Sequence, residues 1–141
     1  MIRAIFEFVQ SNKFFIMTDF ETIKTNGLVL NNEIDNLPFL IKRVYWISGV
    51  PDGTIRGTHA HRECEEIVHI LNGYVKVELV DKNGQRNIST FFDGQHFYIP
   101  TMVWKAITFY QDAKLVVYAS TEYNSLDYIY ESEFFNGNDP N

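Results

Sequence analysis

The hydrophobic positions of this chain fall into short runs broken by Gly, Asn and Asp, a pattern of strands and turns. Residues 39–47 are the clearest early strand. Alternation puts Ile41, Arg43, Tyr45 and Ile47 on one face, and Leu40, Lys42, Val44 and Trp46 on the other. Each face mixes apolar bulk with a cation, so periodicity leaves open which one points inward. Pro51-Asp52-Gly53 then turns the chain toward His59 and His61. Residues 67–71 read as a buried strand ending at Gly73, and residues 74–80 as the next. Asp81-Lys82-Asn83-Gly84 makes a hairpin turn into 87–92, and Asp93-Gly94 turns into 96–100. Strands over 104–109 and 114–120 follow, joined through 110–113. Upstream, Phe14-Phe15-Ile16 begins a strand, and Asn26-Gly27 turns into Leu28-Val29-Leu30. Only 124–135 departs from alternation, predicting one or two helical turns, before a polar, frayed end over 136–141. Strands and turns at this spacing predict an all-β barrel or sandwich.

Composition narrows the picture. A length of 141 residues predicts one domain with a core of its own. An aromatic content of 16% favours strands and a buried subunit interface. No run approaches the ~18 apolar residues of a membrane span, and Met1 to Glu7 has an early acid and no cleavage-site pattern, which argues against a signal peptide. Cys64 is the one cysteine, so no intrachain disulfide forms, as suits a reducing cytoplasm. The net charge of −6 argues against nucleic-acid binding. It leaves open a small anionic ligand, which needs only a few local Arg or Lys side chains.

The chemistry gathers between Gly53 and Gly73. His59 and His61, separated by one residue, share a strand face, and Glu66 follows after a short polar stretch. The spacing Gly-x5-His-x-His-x4-Glu-x6-Gly, carried by Gly53, His59, His61, Glu66 and Gly73, is similar to the first signature of the cupin superfamily. That resemblance implies a double-stranded β-helix, or jelly-roll barrel, with these side chains in its mouth, to which the pattern over 124–135 adds a short helical C-terminal segment. His59, His61 and Glu66 form a possible two-His, one-carboxylate metal triad. The second cupin signature is only half kept. Gly94 and Pro100 are present, but Met102 and Lys105 stand where a glycine and a further histidine belong. A Lys ammonium repels a divalent cation, so the metal reading is the weaker one.

A closer resemblance lies in Pro38-Phe39-x-Ile41-Lys42-Arg43-Val44-Tyr45-Trp46-Ile47 followed by Arg56-Gly57-x-His59-Ala60-His61-Arg62. Leu71-Asn72-Gly73, Tyr98, Val103-Trp104, Ala119-Ser120-x-x-Tyr123 and Asp127-Tyr128-Ile129 belong to the same set. Together they resemble the nucleotide-sugar 3,4-ketoisomerases, cofactor-free cupins of the WxcM-like group. The resemblance covers roughly residues 15–135, leaving 1–14 as an extension outside it. It implies a dTDP-4-keto-6-deoxyglucose substrate isomerised to a 3-keto-6-deoxyhexose, no cofactor, and a homodimer with an exchanged N-terminal strand.

By the same resemblance His59 is the base at C3 and Tyr45 the acid at C4. His61 orients His59 or polarises the enediolate oxygen. An imidazole and a phenol suit such proton transfers. Arg43 and Arg56 are the cations expected on the diphosphate, where guanidinium geometry is favoured. Trp104, Tyr98 or Trp46 is expected to stack the thymine. Three positions depart from the family pattern: Asn26 where Arg or Tyr is usual, Lys105 where His or Arg is usual, and Glu66 where Gln is usual. Asn26 and Lys105 are expected to line the sugar pocket and influence the configuration at C4. Glu66 is expected either to raise the pKa of His59 or to restore a metal ligand. Rival readings are a related cupin epimerase, a metal-dependent cupin and a non-catalytic sugar-nucleotide binding module.

Overall fold

A computed structural model of the chain describes residues 38–137. The expectations placed on the N-terminal extension, the strands over 14–30, Asn26 and the exchanged strand lie outside those residues. Among the described residues the fold is β throughout, apart from two short helical turns near the C-terminal end.

Seven strands form one folded-over antiparallel sheet: β1 (Arg43–Ile47), β2 (Ile55–His61), β3 (Glu66–Asp81), β4 (Arg86–Phe92), β5 (His96–Ile99), β6 (Val103–Ala119) and β7 (Tyr128–Tyr130). β3 and β6 are the backbone of the barrel. They pair along nearly their full lengths, from Glu66 opposite Ala119 to Asp81 opposite Val103. β4 and β5 add to β3, while β1 and β2 add to β6.

The pattern of residues predicts one strand on each side of Gly73 and one on each side of residues 110–113. The structure instead has single strands of 16 and 17 residues that bend there. The ladder shifts register around Asn72, where β3 faces Gln111 and Asp112, both at positive φ. Gly73 sits at φ +69, and a Cβ there would lie 2.6 Å from the carbonyl oxygens of Tyr110 and Gln111. A glycine is therefore required, and it marks a bulge rather than a chain end. On its other edge β3 pairs with β5 before the bend and with β4 after it, while β6 follows both halves.

Inside lie Val68, Ile70, Val75, Val77, Phe91, Phe97, Ile99, Ile107, Phe109, Leu115 and Val117. Each such side chain contributes ~1.5–3 kcal/mol by leaving water. The ambiguous strand β1 resolves in favour of its Tyr45 and Ile47 face, which packs on this core. Val44 and Trp46 face outward.

The C-terminal region differs from the sequence reading. Ser125–Asp127 form a 3-10 turn capped by the Asn124 side chain, and Glu131–Asn136 form the helix α1. Tyr128–Tyr130, expected in a helical turn, instead extend the sheet beside β2, with His59 opposite Tyr130 and His61 opposite Tyr128. A free strand edge at β2 supplies hydrogen bonds that an isolated turn lacks.

Candidate active site

One end of the barrel opens into a cavity of about 750 Å³, floored by Ile47, Val50, Val68, Ile99 and Ile107. His59, Tyr45, Glu66, Lys105, Arg43 and Arg56 line its walls, with Tyr123 and Tyr128 beside them. Strand β2 delivers His59 through a bulge. Gly57 and Thr58 both take positive φ, and the register with β6 shifts between Gly57 and His59. Such a bulge re-aims the side chain that follows it.

His59 Nδ1 donates to the Gly57 carbonyl at 2.5 Å, so the free lone pair of the neutral ring is on Nε2. The ring stacks on Tyr128, centroids 4.2 Å apart. Burial lowers the His59 pKa to about 4, helped by the nearby Lys105 ammonium. The ring is therefore neutral near pH 7 and able to accept a proton.

His61 lies behind it, 3% exposed, with Nε2 3.2 Å from His59 Nε2. Its Nδ1 donates to Asp127 Oδ2 at 2.8 Å. Asp127 also accepts the backbone N–H groups of Glu63, at 2.7 Å, and Cys64, at 3.3 Å. Burial alone would raise the Asp127 pKa; these donors outweigh it and hold the carboxyl below its ordinary value. The side chain that fixes His61 thus comes from 66 positions along the chain.

Glu66, 1% exposed, is the hub of the far wall. Its Oε2 accepts the Tyr45 hydroxyl, and its Oε1 accepts Lys105 Nζ and faces His61 Nε2 at 3.2 Å. Burial favours the neutral acid, but the Lys105 ammonium, with the His61 ring beside it, prevails and holds the carboxyl well below its ordinary value. Glu66 is therefore ionised. The Tyr45 phenol is pushed far above its ordinary value by burial and by that carboxylate. The Arg43 guanidinium sits over the Tyr45 ring at 5.2 Å and the Tyr123 ring at 5.5 Å. Its Nε is buried with no hydrogen-bond partner among the described residues.

Of the side chains singled out from sequence, His59, Tyr45, Arg43, Arg56, Lys105 and Glu66 line the cavity, Trp46 borders it from the outward face of β1, and His61 backs it. Two do not. Trp104 is buried in a separate cluster with Ala60, Val80, Ile129 and Phe134, its ring edge-on to Phe135. Tyr98 packs on Ile67, Phe39, Ile41 and Tyr118 and donates its hydroxyl to Glu65. Strand alternation explains both: their neighbours Lys105 and Ile99 take the cavity side. Asp127 was missed as a site residue because only the tertiary pairing of β7 with β2 brings it near His61.

The possible metal triad does not fit. The Glu66 oxygen nearest His61 already holds the Lys105 ammonium, and a divalent cation placed there would meet a like charge. The other grouping of potential ligands among the described residues, His61, Cys64 and Asp127, is the hydrogen-bonded set that orients His61.

An antiparallel barrel with a His pair, a buried acid and a cationic rim in its mouth defines a cupin-type sugar isomerase or epimerase fold, and the comparisons bear on that class directly. The family FdtA: WxcM-like, C-terminal matches residues 10–138. The TDP-4-oxo-6-deoxy-alpha-D-glucose-3,4-oxoisomerase of Aneurinibacillus thermoaerophilus is 36% identical over 110 residues, covering 77% of this chain and 79% of that protein. The structure is similar to WlaRA, a TDP-fucose-3,4-ketoisomerase of Campylobacter jejuni (TM-score 0.73, 32% identity, 82% of this chain and 88% of that one). It is also similar to QdtA, a sugar 3,4-ketoisomerase of Thermoanaerobacterium thermosaccharolyticum solved with TDP (TM-score 0.71, 31% identity, 87% and 88%). The chain belongs to the FdtA/WxcM-like family of cupins.

Proposed function

We propose that this protein is a 3,4-ketoisomerase that converts dTDP-4-keto-6-deoxyglucose to the dTDP-linked 3-keto-6-deoxyhexose. Relatives named as TDP-sugar 3,4-oxoisomerase or 3,4-ketoisomerase support the reading. The observation that carries the reading here is the neutral His59 ring at the cavity wall, its Nδ1 committed to the Gly57 carbonyl and its Nε2 facing His61, which Asp127 holds.

Moving the ketone from C4 to C3 requires removal of the C3 proton next to the carbonyl. His59 is the base for that step, neutral and depressed in pKa by burial. His61 holds it from behind. Tyr45 and Lys105 are the proton donors facing the sugar, and one of them supplies C4. Arg43, with its unpartnered Nε, and Arg56 hold the diphosphate. Trp46 and Tyr123 offer aromatic faces to the thymine at the cavity rim. Asn26 and Lys105 together influence the configuration at C4.

A homodimer suits the chain. Leu40 and Val44, on the outer face beside β1, are 62% and 48% exposed and need cover, and the N-terminal strand of a partner is our expected occupant. Light scattering at twice the chain mass is the expected result, and a monomer would refute it. No helix among the described residues is long and apolar enough to cross a membrane. A cytoplasmic location accords with a single, buried Cys64.

Proton NMR of dTDP-4-keto-6-deoxyglucose in heavy water tests the activity, using chelator-treated protein. Loss of the C3 proton signal with new 3-keto resonances is the expected result. Exchange at C5 instead would indicate an epimerase. Dependence on restored divalent metal would revive a metallocupin.

A further inference from the structure

We propose that Lys105 is the acid that protonates C4, and that it is recharged from His59 through His61 and Glu66. This rests on the ketoisomerase reading and decides which of the two facing donors acts.

Tyr45 has a single proton, and it is donated to Glu66 Oε2. Giving that proton to C4 would leave a phenolate against an ionised, buried carboxylate, two like charges in contact. Tyr45 instead acts as a positioning residue that fixes the Glu66 carboxylate. Lys105 carries three protons on Nζ and commits one to Glu66 Oε1. Its stem lies across Gly57, where a Cβ would come within 3.3 Å of Lys105 Cγ, and it lines the cavity.

The base and this acid are neighbours. His59 stands directly opposite Lys105 across the β2–β6 ladder, a spacing of about 4.5–5.5 Å between Cβ atoms. That suits groups serving two bonded carbons. One oxygen, Glu66 Oε1, faces both His61 Nε2 and Lys105 Nζ, and His61 Nε2 faces His59 Nε2 at 3.2 Å.

The steps balance. His59 Nε2 takes the C3 proton; the C–H pair becomes the C3–C4 double bond, and the C4 carbonyl pair moves to its oxygen. C4 then takes a proton from Lys105 with the double-bond pair. The O3–H pair closes the C3 carbonyl, and that proton passes to the C4 oxygen. Lys105 is left a neutral amine and His59 an imidazolium. The extra proton moves from His59 Nε2 to His61 Nε2, to Glu66 Oε1 and to Lys105, restoring both groups. After the first step the added His59 cation is balanced by the oxyanion on the sugar, and over the whole cycle the net charge beside Glu66 is unchanged.

Because His59 and Lys105 converge from one wall, removal and delivery use the same face of the sugar. In the gluco substrate, delivery to C4 on the face of the C3 hydrogen yields the galacto product.

The test compares the unaltered protein with Lys105→Gln/Glu66→Gln, in which both members of the ion pair become neutral, and with Tyr45→Phe. Exchange at C3 in heavy water and formation of 3-keto product are measured separately. The double variant is expected to keep C3 exchange within about tenfold while product formation falls about a hundredfold or more, the size of a lost general acid. Tyr45→Phe is expected to lose less than about tenfold in product. Product formation surviving in the double variant, or lost in Tyr45→Phe alone, would overturn the assignment. If the double variant does not fold, the C4 coupling of the unaltered protein's product decides: galacto supports Lys105, and gluco overturns it. Absence of both exchange and product with the unaltered protein would instead sink the ketoisomerase reading, and the donor assignment with it.

Discussion

Lys105 and Glu66 are joined as a buried ion pair, 5% and 1% exposed. Neither is tolerable alone in that place. The pair makes an ionised carboxylate possible at the base of the cavity, and that carboxylate in turn orients Tyr45 and faces His61.

Breaking this pair has a distinctive energetic signature. Lys105→Ala leaves Glu66 buried and uncompensated and is expected to destabilise the fold by about 3–5 kcal/mol, whereas replacing both partners by neutral residues costs much less. Urea denaturation of the two singles and the double, arranged as a double-mutant cycle, measures it. Additive single effects would show that the two charges do not depend on one another.

His59→Asn is expected to abolish turnover and leave TDP affinity within about threefold, because only a proton acceptor is removed while Arg43 and Arg56, the proposed phosphate ligands, stay at the cavity wall. Calorimetric titration with TDP and an activity assay check the two halves. Retained activity would dismiss His59 as the base.

The acid limb of activity carries the mark of the buried imidazole. His59 must be neutral to act, and its pKa of about 4 means that kcat/KM holds well below the ordinary histidine value. A limb near pH 6.5 would contradict its desolvation. Stability behaves differently. The folded pKa values of His59 and His96 are both about 4, lowered first by burial. The unfolded chain therefore binds more protons than the folded one between about pH 6.5 and pH 4, and stability falls as pH drops through that window. Thermal midpoints recorded from pH 7 to pH 4 test the sign.

The Asp127 carboxylate meets His61 and the Glu63 and Cys64 N–H groups. Asp127→Asn is expected to lower kcat about tenfold to a hundredfold with KM little changed, as misorienting a group behind the base should. A KM effect alone would make Asp127 a purely structural anchor of the 62–65 turn.

Much of this was determined by the sequence itself. Alternation and turn residues specify an all-β barrel or sandwich, and the Gly53 to Gly73 spacing with the Arg43-to-Arg62 motifs points to the candidate site, because residue type and a period of two are local properties. Tertiary structure decided what local pattern cannot carry. Gly73 reads as the end of a strand, yet the bulge opposite Gln111 lets β3 run on, since ladder hydrogen bonds across the chain outweigh the local turn preference. Tyr128–Tyr130 become a strand only because β2 has an edge to offer. Trp104 and Tyr98 share strands with site residues but alternate away from the cavity. The contacts of Glu66 with Lys105, and of His61 with Asp127, join residues 39 and 66 positions apart. Which charges neutralise one another is a property of the folded barrel, because burial makes an ion pair necessary only once both partners have left water.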